Sequence, residues 1–430
     1  MSRRMRAFKR WMVSHCIVYS DALEFVDSPD DGISVRALYD LKEGDLVATI
    51  PKRSCLTIRT SGISPLIEAS GLDGCLGLAL ALMYERSLGA ASPWEGYLQI
   101  LPDRECVPFT WSLEEVDDLL VGTELHKIVI STRQTVKEDK IFLVEDWKEY
   151  IEPLIQSGPL EMDWAYFGVK QYFSAKSLIA SRSFEIDEYH GSVNGPNGTL
   201  EMIVVKEVEA GGEVFNTYGC MGNAALLHKY GFTESNNPFN IVNIDLDQFL
   251  VWCSSSFSNR YCRSRLASWR KLKFSGCFSQ VDSEYFEIDS DGEPQLELRI
   301  LLYVMFLSET MHQKLNCGID SLTRATEADK LIKLLEMTQT DSREQRSEDL
   351  EELLLTDDVC QSLLCLADIR ETLYGTSSLK EEISRLQNCC RMKERKLYYS
   401  LVLRLSERKI IGRLRSYAHR YLNRQKAKCK

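Results

Sequence analysis

The sequence predicts an α+β fold, in which a mixed region of strands and helices, residues 1–240, precedes an all-α region, residues 241–430. Two observations predict it. Short β-branched stretches bounded by glycine and proline turns occur within the first 60 residues and again near residue 200. Apolar residues recur at helical spacing between these stretches, and this pattern dominates after residue 240.

The strands of the first region are predicted from β-branched or alternating residues between turn signals. Residues 32–37, 46–50 and 55–58 are extended stretches, separated by turns at Glu43-Gly44-Asp45 and Pro51-Lys52. A second group runs from residues 200–208 through the Gly211-Gly212 turn to residues 213–216. This second group is typical of a β-hairpin.

A helical insertion, about residues 70–180, separates the two groups of strands. It contains predicted helices at residues 74–88 and 163–181, and another that begins where Ser112 and Glu115 form a capping-box pattern. A short helix over residues 223–230 ends at Gly231. The helices predicted in the second region are residues 296–315, 321–337, 346–355, 359–373 and 378–405 with its continuation.

Composition excludes several classes of protein. Of the 430 residues, 44% are hydrophobic and 27% are charged, values typical of a globular protein and unlike those of a disordered chain. No apolar run approaches the ~20 residues that a membrane-spanning helix needs, and no secretory signal is evident. The fourteen cysteines are scattered and lack the spacing of a metal site. We therefore expect no metal, reduced thiols and an intracellular location, nuclear or cytoplasmic.

The charge of the chain is unevenly distributed. The net charge is −11, but residues 391–430 contribute +12 and the first ten residues +5, which leaves −28 for the middle. An acidic body disfavours nucleic-acid binding, which depends on lysine and arginine contacts to phosphates. It favours a basic protein or peptide as partner. We expect a monomer that binds neither nucleic acid nor a membrane.

Two tyrosines, each followed by a glycine, are the most informative local feature. Tyr218-Gly219 follows a predicted strand, and Tyr230-Gly231 closes the predicted short helix. A tyrosine at the end of a strand can hold its hydroxyl in a cavity, and the glycine lets the backbone pass close to a ligand. Alternatively, both tyrosines are core aromatics whose hydroxyls find internal partners.

A set of short motifs favours the functional interpretation. They lie, in chain order, at residues 32–34, 41–46, 50–51, 92–102, 181–184, 216–219 and 227–232. Together they resemble the SET domain of protein-lysine methyltransferases similar to the Rubisco large-subunit methyltransferase. That group includes methyltransferases of ribosomal and other non-histone proteins. The resemblance covers most of the chain, because the helical second region is similar to the substrate-binding domain of that group.

The resemblance implies a fold, a reaction and a set of site residues. Residues 1–240 would be a β-rich SET domain with a helical insertion, and residues 241–430 a helical substrate-binding domain. The reaction would transfer a methyl group from S-adenosylmethionine to a lysine of a non-histone protein. Tyr218 matches the catalytic tyrosine of the group. The positions that match its cofactor-binding residues are Gly32, Ile33, Ser34, Arg182 and Tyr230.

The sequence departs from this group at two points. The cofactor loop is usually Gly-x-Gly, but here the second glycine is replaced by Ser34. The group also has a segment ending in Asn-His before the final strands, and it binds the cofactor. Here residues 191–199 read Gly-Ser-Val-Asn-Gly-Pro-Asn-Gly-Thr, and none of the six histidines follows an asparagine. At ~3.3 Å per residue this stretch spans a loop and little else.

Three hypotheses follow. The first is a protein-lysine methyltransferase, which we expect to bind S-adenosylmethionine poorly because the Asn-His segment is missing. The second is a catalytically impaired variant that acts as a protein-binding module. The third is a methyltransferase that modifies histidine instead of lysine, because relatives with this architecture can do so.

Overall fold

The computed structural model describes residues 2–29, 32–131, 135–157, 164–185, 198–272, 285–320 and 353–428. It divides into two compact units, each made of several segments of the chain. The first unit comprises Met1–Leu119, Leu125–Thr233 and Leu386–Ser400. The second unit comprises Leu120–Glu124, Glu234–Arg385 and Leu401–Lys430. The sequence did not indicate that a late segment, Leu386–Ser400, lies in the first unit.

The described residues of the first unit form two small antiparallel sheets. Its strands are β1 (Val18–Tyr19), β2 (Leu23–Ser28), β3 (Gly32–Ala37), β4 (Leu46–Pro51) and β5 (Thr199–Ile203). One sheet has the order β1-β4-β5, and the other is the β2-β3 hairpin. The strands predicted at residues 32–37 and 46–50 are confirmed. The strand predicted at residues 55–58 is wrong, because the Thr60 hydroxyl accepts from the Thr57 amide and donates to the Cys55 carbonyl, each at 2.8 Å, and holds this stretch in a turn.

The hairpin predicted over residues 200–216 is also wrong. β5 ends at Ile203, and residues after the Gly211-Gly212 turn pair with β3 instead of β5. The Val214 amide donates to the Val35 carbonyl at 2.8 Å, and the Ala37 amide donates to the Gly212 carbonyl at 2.9 Å. Alternation within a stretch does not specify which strand will be its partner, so a local pattern misses this pairing.

The helices of the first unit form its main core. They are α1 (Arg3–Ser14), α2 (Ser64–Ala69), α3 (Gly74–Ser87), α4 (Glu95–Leu98), α5 (Leu113–Leu120), α6 (Glu124–Ser131), α7 (Thr135–Asp146), α8 (Glu152–Ser157), α9 (Trp164–Phe167), α10 (Val169–Arg182) and α11 (Asn223–Tyr230). A π-helical turn, Trp147–Ile151, joins α7 and α8. α3 and α10 supply buried apolar side chains to one cluster, among them Leu80, Met83 and Leu178.

Local signals explain where several of these helices begin and end. The predicted capping box is confirmed, because the Glu115 amide donates to Ser112 Oγ at 3.1 Å and the Ser112 amide donates to Glu115 Oε2 at 2.7 Å. The predicted helix at residues 223–230 is confirmed with the same bounds. The helix predicted at residues 163–181 is divided into α9 and α10, because Gly168 adopts an extended conformation between them.

The second unit is mainly helical, as predicted, and also contains a two-stranded sheet that the sequence did not indicate. Its elements are β6 (Val242–Asp245), α12 (Leu246–Ser256), α13 (Asn259–Leu272), β7 (Tyr285–Ile288), α14 (Leu296–Phe306), α15 (Glu309–Asp320), α16 (Asp357–Thr372), α17 (Leu379–Asn388) and α18 (Arg395–Lys428), of which α17 and α18 extend into the first unit. β6 and β7 pair in antiparallel register.

Two helices predicted in this region are each divided in the structure. The helix predicted at residues 296–315 becomes α14 and α15, because Ser308 accepts a hydrogen bond from the Met311 amide and caps α15. The predicted helix from residue 378 becomes α17 and α18, separated by a turn at residues 389–394. The helix predicted at residues 321–337, and most of the one at residues 346–355, lie outside the described residues.

A network of buried charges lies inside the second unit. The Arg370 side chain is fully buried and forms ion pairs with Glu124 at 2.8 Å and with Glu407 at 3.6 Å. Arg370 also donates to the Gly122 carbonyl at 2.7 Å, and the Tyr374 hydroxyl donates to Glu407 at 2.6 Å. Because two carboxylates share one guanidinium, ionisation of both leaves a buried negative charge that is incompletely compensated.

This network is expected to make stability depend on pH. Burial raises the pKa of the Glu407 carboxyl to about 8, and the nearby Glu124 adds to this shift. An unfolded glutamate titrates near ~4.3, so between these values the folded chain binds the additional proton. The free energy of unfolding should therefore decrease as the pH rises from ~5 to ~8. Urea unfolding measured across this range tests the expectation, and a Glu407→Gln variant with the same pH dependence as the original chain would contradict it.

Candidate functional site

Tyr218 lies beside the end of helix α10. Its hydroxyl donates a hydrogen bond to the Ser181 carbonyl at 2.9 Å. The last carbonyls of a helix have no partner within the helix, so they are available to a side chain from elsewhere. The residue after Ser181 is Arg182, which ends α10. The structure therefore places two of the predicted site residues at the same helix end.

An aromatic cluster surrounds Tyr218. Its ring centroid lies 4.7 Å from that of Tyr230 and 5.0 Å from that of Phe232. Both rings reach Tyr218 because Gly231, between them, ends α11 in the left-handed conformation, with φ of +81°. All three aromatic side chains are partly exposed, so the cluster forms part of an accessible surface.

Gly231 has no room for a side chain. A Cβ atom at this position would lie 2.8 Å from backbone atoms of Cys106 and Val107. We expect Gly231→Ala to lower the free energy of unfolding by roughly 2–5 kcal/mol, because the strain of a positive φ adds to a clash with backbone.

Gly44→Ala is the matched control for this prediction. Gly44 also has a positive φ, +92°, but a Cβ atom there would have no described atom within 4 Å. Only the strain of about 1–2 kcal/mol therefore applies. Urea unfolding of the two variants compares them directly. Equal losses of stability would show that the contact with Cys106 and Val107 is unimportant.

Arg182, next to the residue whose carbonyl Tyr218 binds, belongs to a cluster of charges. One of its terminal nitrogens, Nη2, forms an ion pair with Glu105, whose side chain is only 5% exposed. The other carboxylate oxygen of Glu105 pairs with Arg395, which comes from the segment Leu386–Ser400 of the same unit. The second terminal nitrogen of Arg182, Nη1, is buried and has no hydrogen-bond partner among the described residues.

The predicted cofactor loop lies at the start of β3. Gly32, Ile33 and Ser34 pair with β2 in the hairpin. Gly32 is buried and has a φ of +82°, and a Cβ atom there would lie 3.1 Å from the sulfur of Met392. Only glycine therefore suits position 32, for both its conformation and its close contact.

The structure brings some of the predicted residues together and leaves others apart. Tyr218 and Tyr230 are in contact, and Arg182 adjoins the carbonyl that Tyr218 binds. Within the described ranges, no hydrogen bond or ring contact joins Gly32, Ile33 or Ser34 to these three residues. The two groups are linked through the segment Leu386–Ser400, which supplies Met392 to Gly32 and Arg395 to Glu105.

A cavity of about 360 Å³ adjoins this segment in the first unit. Its lining includes Glu105, Cys106, Met392 and Arg395. A second cavity, of about 400 Å³, has Tyr230 and His228 in its lining together with apolar residues such as Phe109. These volumes lie in the range of small-molecule pockets, ~300–1,000 Å³.

Sequence reasoning missed several residues of this site. Glu105, Met392 and Arg395 have no local motif, and the sequence separation between Glu105 and Arg395 is 290 residues. Phe232 had a signal, since it follows Tyr230-Gly231 directly in one of the motifs.

Within the part of the chain that the structure describes, no group of three or more histidine, cysteine, aspartate or glutamate side chains could hold a metal ion. None of the described helices has the length and apolar character required to cross a membrane.

Comparisons with known proteins relate part of the sequence to lysine methyltransferases. N-lysine methyltransferase setd6 of Danio rerio is 28% identical over 247 residues, which are 48% of this chain and 51% of the relative. N-lysine methyltransferase SETD6 of Mus musculus is 26% identical over 250 residues, which are 50% of this chain and 51% of the relative. The chain thus aligns with about half the length of the curated relatives it matches. No protein-family model matches the chain.

Solved structures are similar over almost the whole chain. The SET domain of LSMT bound to MeLysine and AdoHcy matches with a TM-score of 0.57 and 20% identity, over 98% of this chain and 92% of the other. Rubisco LSMT bound to AdoMet matches with a TM-score of 0.55, at the same identity and coverage. The α+β fold and the resemblance predicted from the sequence are confirmed: the chain has the fold of the SET-domain protein Rubisco LSMT.

Proposed function

We propose that the chain is a protein-lysine N-methyltransferase that uses S-adenosylmethionine and modifies a non-histone protein. The observation that carries the proposal is the Tyr218 hydroxyl, held on the Ser181 carbonyl next to Arg182 and beside the ring of Tyr230. Two comparisons support it. The relatives are named N-lysine methyltransferases, and Rubisco LSMT has been solved bound to AdoMet and bound to monomethyllysine.

The residues present fit the chemical groups of this cofactor. S-adenosylmethionine carries a carboxylate. Arg182 Nη1 is buried, has no described hydrogen-bond partner and can donate to such a carboxylate. Gly32, with its positive φ, lets the backbone at the start of β3 pass close to a neighbouring group. The partly exposed ring of Tyr230 offers an aromatic face, which attracts cations. When bound, the cofactor would supply a methyl group activated by its positively charged sulfur.

Tyr218 is proposed as the catalytic residue that orients the lysine amine. An ordinary lysine has a pKa near ~10.4, and burial beside the positively charged sulfur of a bound cofactor would disfavour its charged form. The Tyr218 hydroxyl is fixed by its hydrogen bond to the Ser181 carbonyl. It would offer a hydrogen-bonding partner to an amine that enters at this surface. Holding reactants in one geometry is among the largest contributions an enzyme makes to rate.

The two regions of the sequence are proposed to have separate functions, catalysis and substrate binding. Residues 1–240 would form the SET domain and residues 241–430 the substrate-binding domain. The charge of −28 outside the two basic ends suits a basic protein substrate. The described cysteines are all free thiols, which supports an intracellular location, nuclear or cytoplasmic. A monomer without nucleic-acid or membrane partners completes the proposal.

One observation favours a second candidate function, a catalytically impaired protein-binding module. Residues 191–199 contain no Asn-His pair, and residues 186–197 lie outside the described part of the structure. We propose that the chain binds S-adenosylmethionine more weakly than a site with that segment would. Calorimetric titration of the purified chain tests this, and a micromolar dissociation constant would contradict weak binding.

Methyl transfer itself is tested with radiolabelled S-adenosylmethionine and a cell extract. Because weak cofactor binding is expected, the cofactor concentration is raised until incorporation no longer increases. Labelled protein above the background of the Tyr218→Phe variant supports the enzyme. Its absence at every concentration favours the binding module. Mass spectrometry of the product distinguishes methyl-lysine from methyl-histidine.

A further inference from the structure

Glu105 is placed to control the direction of the Arg182 side chain. The Glu105 amide donates to Ser177 Oγ at 3.0 Å, and Ser177 lies on α10, the same helix that ends at Arg182. The following residue is also fixed, because the Trp111 indole nitrogen donates to the Cys106 carbonyl at 3.1 Å. The carboxylate therefore projects from a backbone that has little freedom relative to α10.

The carboxylate of Glu105 is shared by two guanidinium groups. One oxygen pairs with Arg182 and the other with Arg395. Arg395 uses its other terminal nitrogen as a donor to the Arg104 carbonyl at 3.3 Å. Arg182 differs from Arg395, because its Nη1 is buried without a described hydrogen-bond partner. A buried donor without a partner is costly unless a ligand completes it.

A third guanidinium makes the cluster more positive. Burial lowers the pKa of Arg86, and the charge of Arg182 contributes to that shift, although Asp103 opposes it. Arg86 donates to the backbone carbonyls of Pro102 and Asp103, so its nitrogens have partners. The carboxylates leave part of this positive charge uncompensated, and one Arg182 donor has no described partner. Such a cluster suits an anionic ligand.

We infer that Glu105 is a positioning residue, which holds Arg182 so that its Nη1 donates to the carboxylate of the amino-acid portion of the cofactor. This inference rests on the proposed function and deepens it. Pairing with Arg395 keeps the second oxygen of Glu105 occupied, so the carboxylate has one oxygen left for Arg182. Glu105 itself does not contact the cofactor in this arrangement.

The test compares two ligands that differ in the amino-acid portion, which contains the carboxylate that Arg182 would bind. S-adenosylhomocysteine has the amino-acid carboxylate, and 5′-methylthioadenosine lacks the amino-acid portion. Calorimetry with the full chain should show that Glu105→Gln raises the dissociation constant of S-adenosylhomocysteine ~10-fold. The dissociation constant of 5′-methylthioadenosine should stay unchanged, because nothing in that ligand reaches Arg182.

Two further variants make the result specific. Glu115→Gln removes a different carboxylate from the lining of the same cavity, one that pairs with Lys396, and should change neither affinity. Glu105→Asp keeps the charge with a shorter side chain and should lose less affinity than Glu105→Gln. It also provides the measurement if the glutamine variant does not fold.

Each contrary outcome has a distinct meaning. If Glu105→Gln weakens both ligands equally, Glu105 is a structural residue and the inference is wrong. It is equally wrong if the glutamine variant binds S-adenosylhomocysteine as the original chain does. If the original chain binds neither ligand up to millimolar concentration, the cofactor assignment of the proposed function fails first, and the inference fails with it.

Discussion

Tyr218→Phe is expected to lower methyl transfer to protein lysine at least ~100-fold, because a single positioned hydroxyl at a reacting centre commonly has an effect of this size. The substitution removes the bond to the Ser181 carbonyl and retains the ring that packs on Tyr230. Folding and cofactor binding should therefore persist. Incorporation of labelled methyl groups into an extract measures the loss, and circular dichroism verifies the fold.

Tyr261→Phe provides the matched control. The Tyr261 hydroxyl also donates to a backbone carbonyl, that of Met305 at 2.6 Å, but it lies in the second unit. Both variants lose one bond of the same type, worth ~1 kcal/mol, so their stabilities should decrease similarly. Only Tyr218→Phe should lose activity. Equal activity of the two variants would refute the catalytic role of Tyr218.

Arg370→Leu is expected to lower the free energy of unfolding by ~3–5 kcal/mol, the usual cost of breaking a buried ion pair by removing one partner. The substitution leaves Glu124 and Glu407 buried without their shared cation. It also removes the donors to the Gly122 and Asn243 carbonyls. Urea unfolding followed by fluorescence of the tryptophans of the same unit, which include Trp252 and Trp269, measures this loss.

Arg415→Leu is the matched control, because it breaks an ion pair that is exposed to solvent instead of buried. Arg415 pairs with Asp368 at 2.9 Å, but the Asp368 side chain is 73% exposed. The pair should therefore contribute less than ~1 kcal/mol. Adding Glu124→Gln to Arg370→Leu should recover part of the stability, because it removes a buried carboxylate that has lost its cation. If Arg370→Leu costs no more than Arg415→Leu, the buried network does not stabilise the second unit.

Much of the fold could be predicted because its signals are local. The helix Asn223–Tyr230 ends where Gly231 permits a left-handed turn, and the capping box of Ser112 and Glu115 marks the start of α5. The two-stranded sheet of the second unit was not predicted. β6 and β7 are short strands with helices α12 and α13 among the described residues between them, and neither has a partner nearby in the sequence to indicate pairing.

The candidate site was only partly predictable for the same reason. Tyr218 and Tyr230 were identified from adjacent glycines and from the resemblance, and the structure brings them into contact. Glu105 and Arg395 were not identified, because a buried ion pair between distant residues leaves no pattern in the sequence around either one. Met392 reaches Gly32 for a similar reason, since only the folded chain brings the late segment into the first unit.

The most direct test of methyl transfer by this chain is mass spectrometry of the proteins in a cell extract. The extract is first incubated with the full chain and with S-adenosylmethionine that carries a deuterated methyl group. At saturating cofactor we expect deuterated methyl-lysine on at least one protein above the level of an extract without the chain, and an increment at least ~100-fold smaller when the chain carries Tyr218→Phe. No increment over the extract alone at any cofactor concentration would contradict methyl transfer. Equal labelling of the extract by both chains would contradict the site assigned to it.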